Sequence, residues 1–237
     1  LIREGLVGEV NVEQERLLNV VEDRADDLNT MVDDMLDVSK LEAGMLGAWR
    51  RDCQVEEVIN HVWTSLERKA AVKNVTLEWS VDSNLPTLYC DAEKASRVIT
   101  NLAINAIKFC GEPGHVRIAA EADPATRDVV ISITDNGPGI DDDVLESIFQ
   151  RFKQLSLDPR GSTKGFGLGL SIAKALVALN FGQMSVRSKA GEGSTFSFTL
   201  PMAEPLEVVR RYLHQLAQFD EADRLSRQPL KKWTMSR

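Results

Sequence analysis

Two amides and an ammonium fall at Asn101, Asn105 and Lys108. In a helix, residues four and seven apart share a face, so these three form one polar row. Amide oxygens are hard donors suited to Mg²⁺, and a lysine meets a phosphate as a point charge. The row fits a metal-bound polyphosphate, although a plain solvated face would read the same in isolation. A second chemical stretch is Asp135-Asn-Gly-Pro-Gly139. Its glycines allow a sharp turn or the close approach of a ligand, and its carboxylate can accept from an exocyclic amine such as adenine's. Gly165-Phe-Gly-Leu-Gly169 opens a predicted helix, whose first N–H groups and dipole attract phosphate. Taken singly, each glycine stretch is more often only a turn.

Other nucleotide-binding patterns do not fit. A Rossmann fingerprint requires a strand before its glycines, and an irregular stretch, Arg151 to Lys164, precedes these. No GxxxxGK[ST] is present, nor the VAIK, HRD and DFG set of protein kinases.

Local patterning places these residues on an alternating α+β chain. Asp91 is a good N-cap for the helix that carries the amides. Helices are expected at Val12 to Leu41, Val55 to Ala71, near Val144 to Phe149, at Leu168 to Leu179 and at Leu206 to Phe219. Strands are expected at Val75 to Val81, Leu88 to Cys90, His115 to Glu121, Asp128 to Thr134, Gln183 to Ser188 and Ser194 to Leu200. Arg151 to Lys164 reads as a mobile loop, and Arg224 to Arg237 as a basic, unpatterned end. In the first helix Val21, Ala25, Leu28, Val32, Met35 and Ser39 recur with 4-3-4-3-4 spacing, a helical-bundle seam that needs a partner. Glu22, Asp23, Asp26, Asp27, Asp33, Asp34 and Asp37 give it an acidic, solvated outer face.

Composition narrows the class. With 237 residues, 43% hydrophobic, the chain can bury a large core. A net charge of −8 argues against a nucleic-acid or anionic-membrane partner. No apolar run approaches the roughly 18 residues of a spanning helix, so no membrane contact is expected within the chain. Cys53, Cys90 and Cys110 lack CxxC spacing and read as buried thiols of a reducing compartment.

The ordered set is more specific than its parts. Asn101-x₃-Asn105, Asp135-x-Gly-x-Gly139, Phe149-x-x-Phe152, Gly165-x-Gly-x-Gly169 and Gly191-x-Gly193 occur in sequence on suitable elements. Together they resemble the N, G1, F, G2 and G3 boxes of the sensor histidine kinase catalytic domain. That ATP-binding fold is shared with gyrase, the ninety-kilodalton chaperones and the mismatch-repair ATPases. The resemblance covers roughly Cys53 to Pro201, and the helix ending Leu36-Asp-Val-Ser-Lys-Leu-Glu-Ala-Gly44 is similar to the second dimerisation helix of the same kinases.

The resemblance implies a two-layer α/β sandwich of the Bergerat type, preceded by a helical-bundle dimerisation helix. It divides the chain into a dimerisation region (1–47), an ATP-binding domain (48–201) and a helical tail or linker (202–237). Asn105 would ligate Mg²⁺ with help from Asn101, Lys108 would contact phosphate, and Phe109 would pack near the adenine. Asp135 would accept the adenine amine, in a pocket shaped by Gly137 and Gly139. Phe149 and Phe152 would anchor a lid that Gly165, Gly167 and Gly169 let close over the phosphates of ATP. Arg151, Lys153, Arg160 and Lys164 could reach the γ-phosphate. Implied partners are a second copy of the chain through the helical bundle and a response-regulator receiver domain, in a cytoplasmic setting.

Two departures qualify the activity. The ATPase branches carry a glutamate base where this chain has Asn101, and an amide takes no proton at neutral pH. The chain thus favours transfer to a nucleophile activated elsewhere over hydrolysis. The acceptor motif H-[ED]-x-x-[TN]-P is missing, and His61, His115 and His214 do not fit it. The acceptor is therefore expected on a helix upstream of residue 1; the alternative is a pseudokinase that binds ATP to switch the helical bundle.

Overall fold

The computed structural model describes residues 8, 10–82, 84–145, 147–153 and 166–226. Helix α1 (Val12–Glu42) starts with a reciprocal cap, in which Asn11 and Gln14 each accept from the other's backbone N–H. Next come β1 (Arg51–Cys53), α2 (Val55–Val72), β2 (Val75–Val81), β3 (Leu88–Cys90) and α3 (Ala92–Phe109). Then follow β4 (Gly114–Asp123), β5 (Asp128–Asp135), α4 (Asp142–Leu145), α5 (Gly169–Leu179), β6 (Met184–Lys189), β7 (Gly193–Pro201) and α6 (Pro205–Ser226).

Five strands form one mixed sheet in the order β2-β4-β5-β7-β6, with β2 and β4 parallel and the remaining pairs antiparallel. Alternation gives the sheet a buried face: Val116, Ile118 and Ala120 of β4, Val129, Ile131 and Ile133 of β5, Phe196, Phe198 and Leu200 of β7. Helices α2, α3 and α5 cover it, completing the expected two-layer sandwich. Helix α3 buries Val98, Ile99, Leu102, Ala103, Ala106 and Ile107. Full burial of one such large aliphatic side chain is worth about 1.5–3 kcal/mol. Its other stripe, with Asn101, Asn105 and Lys108, stays half-buried.

Some expectations shift. Arg51–Cys53, where no strand is expected, pairs antiparallel with β3 in a separate two-stranded ribbon. The short helix lies earlier than Val144 to Phe149, because Asp142 and Asp143 occupy the first turn, where negative charge is favoured. Beyond it the chain continues in single turns, Ser147 N to Val144 O and Gln150 N to Ser147 O. Most of the expected loop at Arg151 to Lys164 lies outside the described residues, as does 227–237 of the expected basic end at 224–237, whose first three residues instead close α6.

The acidic face of α1 is not solvated throughout. Asp34 and Asp37 are buried, and Arg97 of α3 pairs with both, at 3.1 Å in the case of Asp34. The cause is docking: α1 packs on α5, and Val38 reaches the core. Val21, Leu28, Val32 and Met35 of the expected seam stand exposed. At the other end, Arg211 of α6 bonds Asp128, Glu207 and the carbonyls of Phe181 and Thr126, fastening the start of that helix to the sheet domain.

Candidate functional site

The period of β5 decides where Asp135 points. Residues 129, 131, 133 and 135 share a face, so a carboxylate follows three buried aliphatic side chains into the helix layer. Asp135 is 8% exposed. Burial pushes its carboxyl above the usual range, against backbone N–H donors from Gly137, at 2.8 Å, and Ser194. At Gly137 a Cβ would stand 2.6 Å from the Phe109 carbonyl oxygen and 2.7 Å from the Asp135 carboxylate. Gly139 holds φ +70°, and a Cβ there would strike the Lys189 carbonyl.

The Asp135 turn is tied to both neighbours. Gly111 N, just past α3, donates to Asn136 O at 3.3 Å. Gly191 N donates to Pro138 O at 2.7 Å and Ile140 N to the Ser188 hydroxyl at 2.8 Å. The Asp135 and Gly191 motifs, more than fifty residues apart, thus form one rim.

On α3, Asn101 Nδ2 donates to Gly169 O at 3.3 Å. This bond joins the amide row to the first turn of α5, at the end of the Gly165–Gly169 stretch. Leu168, at its N-cap, makes no side-chain capping bond, and the first N–H groups of a helix are the arrangement that receives anions. Lys108 Nζ lies 5.1 Å from the centroid of the Phe109 ring.

The remaining site residues divide. Phe149 is half-buried against the core, with Lys174 Nζ 5.2 Å from its centroid. Phe152 is 64% exposed, and its contribution is by backbone: its N–H donates to Gly167 O at 2.9 Å. That bond joins the two stems of segment 154–165, and Lys153 backbone packs on Gly167 beside it. Gly165, Arg160 and Lys164 lie outside the described residues. Arg151 does not point into the site; it pairs with Glu42 at the end of α1. Neither that pair nor the burial of Asp34 and Asp37 is visible in the sequence, since partners 109 and 63 residues away share no local pattern.

Two amides on α3, a buried carboxylate at the end of β5 and an open helix N-terminus therefore surround one edge of the sandwich. Amide oxygens and backbone N–H groups suit a phosphate–metal pair, and the carboxylate suits an amine donor.

Comparison with known proteins agrees with this chemistry. Residues 90–204 match the family described as histidine kinase-, DNA gyrase B- and HSP90-like ATPase. The adaptive-response sensory kinase SasA of Synechocystis is 33% identical over 175 residues, 74% of this chain and 45% of the relative. Histidine kinase 5 of Arabidopsis thaliana is 34% identical over 215 residues, covering 80% of this chain and 23% of that protein. The chain thus spans less than half the length of these relatives. Among solved structures, full-length ShkA in complex with AMPPNP superposes with a TM-score of 0.68 at 30% identity, over 82% of this chain and 40% of that one. The catalytic domain of the histidine kinase ThkA gives a TM-score of 0.55 at 26% identity, over 65% of this chain and 96% of that one.

Proposed function

The chain belongs to the sensor histidine kinases, with its ATPase-family domain at residues 90–204, and on that basis we propose that it binds Mg-ATP and transfers the γ-phosphoryl group to a histidine. The acceptor would lie on a dimerisation helix outside residues 1–237, for relay to a response-regulator receiver domain. The observation that carries the reading is the Asn101–Gly169 bond, which places the α3 amides at the uncapped start of α5. The AMPPNP complex of the ShkA neighbour supports a nucleoside triphosphate as the ligand.

In this reading Asp135 accepts the adenine amine, and Gly137 and Gly139 keep the pocket wall free of side chains. Phe109 borders the base. Lys108 and the first N–H groups of α5 hold phosphate, and Gly167 and Gly169 admit it closely. Mg²⁺ fits Asn105 and the oxygen of Asn101, whose Nδ2 is engaged by Gly169. When bound, the ion neutralises phosphate charge. The protein's part is positioning and electrostatic stabilisation, since phosphoryl transfer requires little covalent help. Phe149 and Phe152 belong to the lid side of the site. The exposed seam of α1 is the proposed dimer face.

The test is incubation with Mg²⁺ and ATP labelled in the γ position, with the dimerisation helix supplied as acceptor. Label on that helix, stable to alkali and lost in acid, is the expected result. Tight Mg-ATP binding with no label on any acceptor histidine would favour the pseudokinase, and steady phosphate release without acceptor would favour an ATPase.

A further inference from the structure

Cys53 of β1 and Cys90 of β3 bring their sulfurs to 3.1 Å, and both side chains are buried. The antiparallel register sets Cys53 opposite Leu88 and Cys90 opposite Arg51, so the two cysteines are diagonal neighbours on one face of the ribbon. Unstrained disulfides have Cα separations below about 7 Å, and diagonal neighbours, typically about 7–8 Å apart, sit at or just past that limit, so closing the bond calls for a small shift of the ribbon. A bond formed there is readily reduced again, as regulatory disulfides are.

The pair lies at a joint. Trp49 N donates to Asp91 at 2.9 Å, fastening the segment after α1 to the residue that caps α3. Asp91 N donates to Asn180 Oδ1 at 2.7 Å, which ties the same point to the end of α5. We propose that Cys53 and Cys90 form a reversible disulfide on exposure to a hydroperoxide, and that this bond locks the joint between α1 and the sheet domain.

Each sulfur has a distinct part. Either thiol can donate across this contact; with Cys90 as the donor, that bond and the Arg51 charge hold Cys53 down, while the bond and burial push Cys90 up. With that donor direction and the adjacent Arg51, Cys53 is the attacking thiolate. Its sulfur bonds to one peroxide oxygen, the O–O bond breaks, and the departing hydroxide takes a proton and leaves as water. Cys53 is then a sulfenic acid. The Cys90 sulfur attacks the Cys53 sulfur; the S–S bond forms, the S–O bond breaks, and hydroxide leaves with the Cys90 proton as a second water. Two thiols lose two electrons and one peroxide is reduced. A two-stranded ribbon is marginal by itself, so local opening of β1 admits a molecule as small as hydrogen peroxide.

The experiment treats the full chain with hydrogen peroxide, removes the oxidant with catalase, alkylates under denaturing conditions and maps tryptic peptides by mass. Expected is a joined pair, 52–68 with 74–94, two hydrogens lighter than the separate peptides and parted by dithiothreitol, with Cys110 alkylated throughout. Cys53→Ser and Cys90→Ser should each abolish it, and Cys110→Ser should not. Amide exchange at 49–53 and 88–91 should slow several-fold on oxidation and recover on reduction. Alkylation of both cysteines after peroxide, over-oxidation of Cys53 to the sulfinic acid, or a bond to Cys110 overturns the site. A Cys53–Cys90 bond with unchanged exchange overturns the lock. These readouts need no nucleotide, so they stand apart from the phosphotransfer reading.

Discussion

Asp135 reaches its position by strand periodicity, and its environment sets what it can do. A buried carboxylate with two backbone donors is still pushed upward in pKa by desolvation. An arriving adenine amine would favour the ionised form, so nucleotide affinity should fall as pH drops through the raised Asp135 pKa. Asp135→Asn should remove that slope and the preference for ATP over GTP. A hydrogen bond to a charged group is worth about 1.5–3 kcal/mol, roughly tenfold or more in Kd. Calorimetric titrations of both nucleotides at several pH values check this, and equal slopes in the two proteins would remove Asp135 from the base pocket. Asn105→Ala should lower affinity for ATP in the presence of Mg²⁺ and leave the value in EDTA nearly unchanged. The positions of both, on α3 and at the end of β5, are legible in the sequence, because helix and strand periods place them without knowledge of the fold. The Asn101–Gly169 bond was not legible, since it spans 68 residues.

Elements with a strong period were read closely. Val75–Val81 and Leu88–Cys90 fall where the alternation puts them. β1 escaped because three residues, Arg-Asp-Cys, carry no alternation to detect. The misreading of α1 has a different origin. Its Asp34 and Asp37 resemble any acidic helix face until Arg97 arrives from α3. Burial pushes Asp34 upward in pKa, and Arg97 opposes that push. Arg97→Ala would leave two buried carboxylates without a cation, at a cost of about 3–5 kcal/mol if α1 stayed in place. Releasing the C-terminal half of α1 returns both to water and is the cheaper response. Faster amide exchange and proteolysis at 34–42, with the thermal transition of the sheet domain nearly unmoved, is therefore expected of Arg97→Ala. A large loss of domain stability with α1 still protected would show that the pair supports the core instead.

At the scale of the molecule, one residue links the segment after α1, helix α3 and the end of α5. Asp91 is 5% exposed. It receives Trp49 N at 2.9 Å, Lys94 N at 3.1 Å and Lys94 Nζ at 3.0 Å. Burial alone would raise its pKa, yet the bonds from Trp49 and Lys94 outweigh burial and hold it below the ordinary carboxylate value. The sign of the linkage follows. A carboxyl whose folded pKa is depressed contributes stability in full above its unfolded pKa, near 3.9, and loses it as pH falls through the lower folded value. Asp91→Asn keeps an oxygen for the Lys94 N–H, since asparagine caps helices about as well as aspartate. Its amide nitrogen, however, meets the donors of Trp49 or Lys94 where a second carboxylate oxygen stood. The variant should therefore be less stable near neutral pH, and the gap should close as pH falls below about 4 and on through the depressed folded pKa, where the native carboxylate protonates. Urea midpoints for both proteins across that range measure the gap. A difference that stays constant with pH would mean that Asp91 acts only through the geometry of its cap, and that its charge does not help to hold the three elements together.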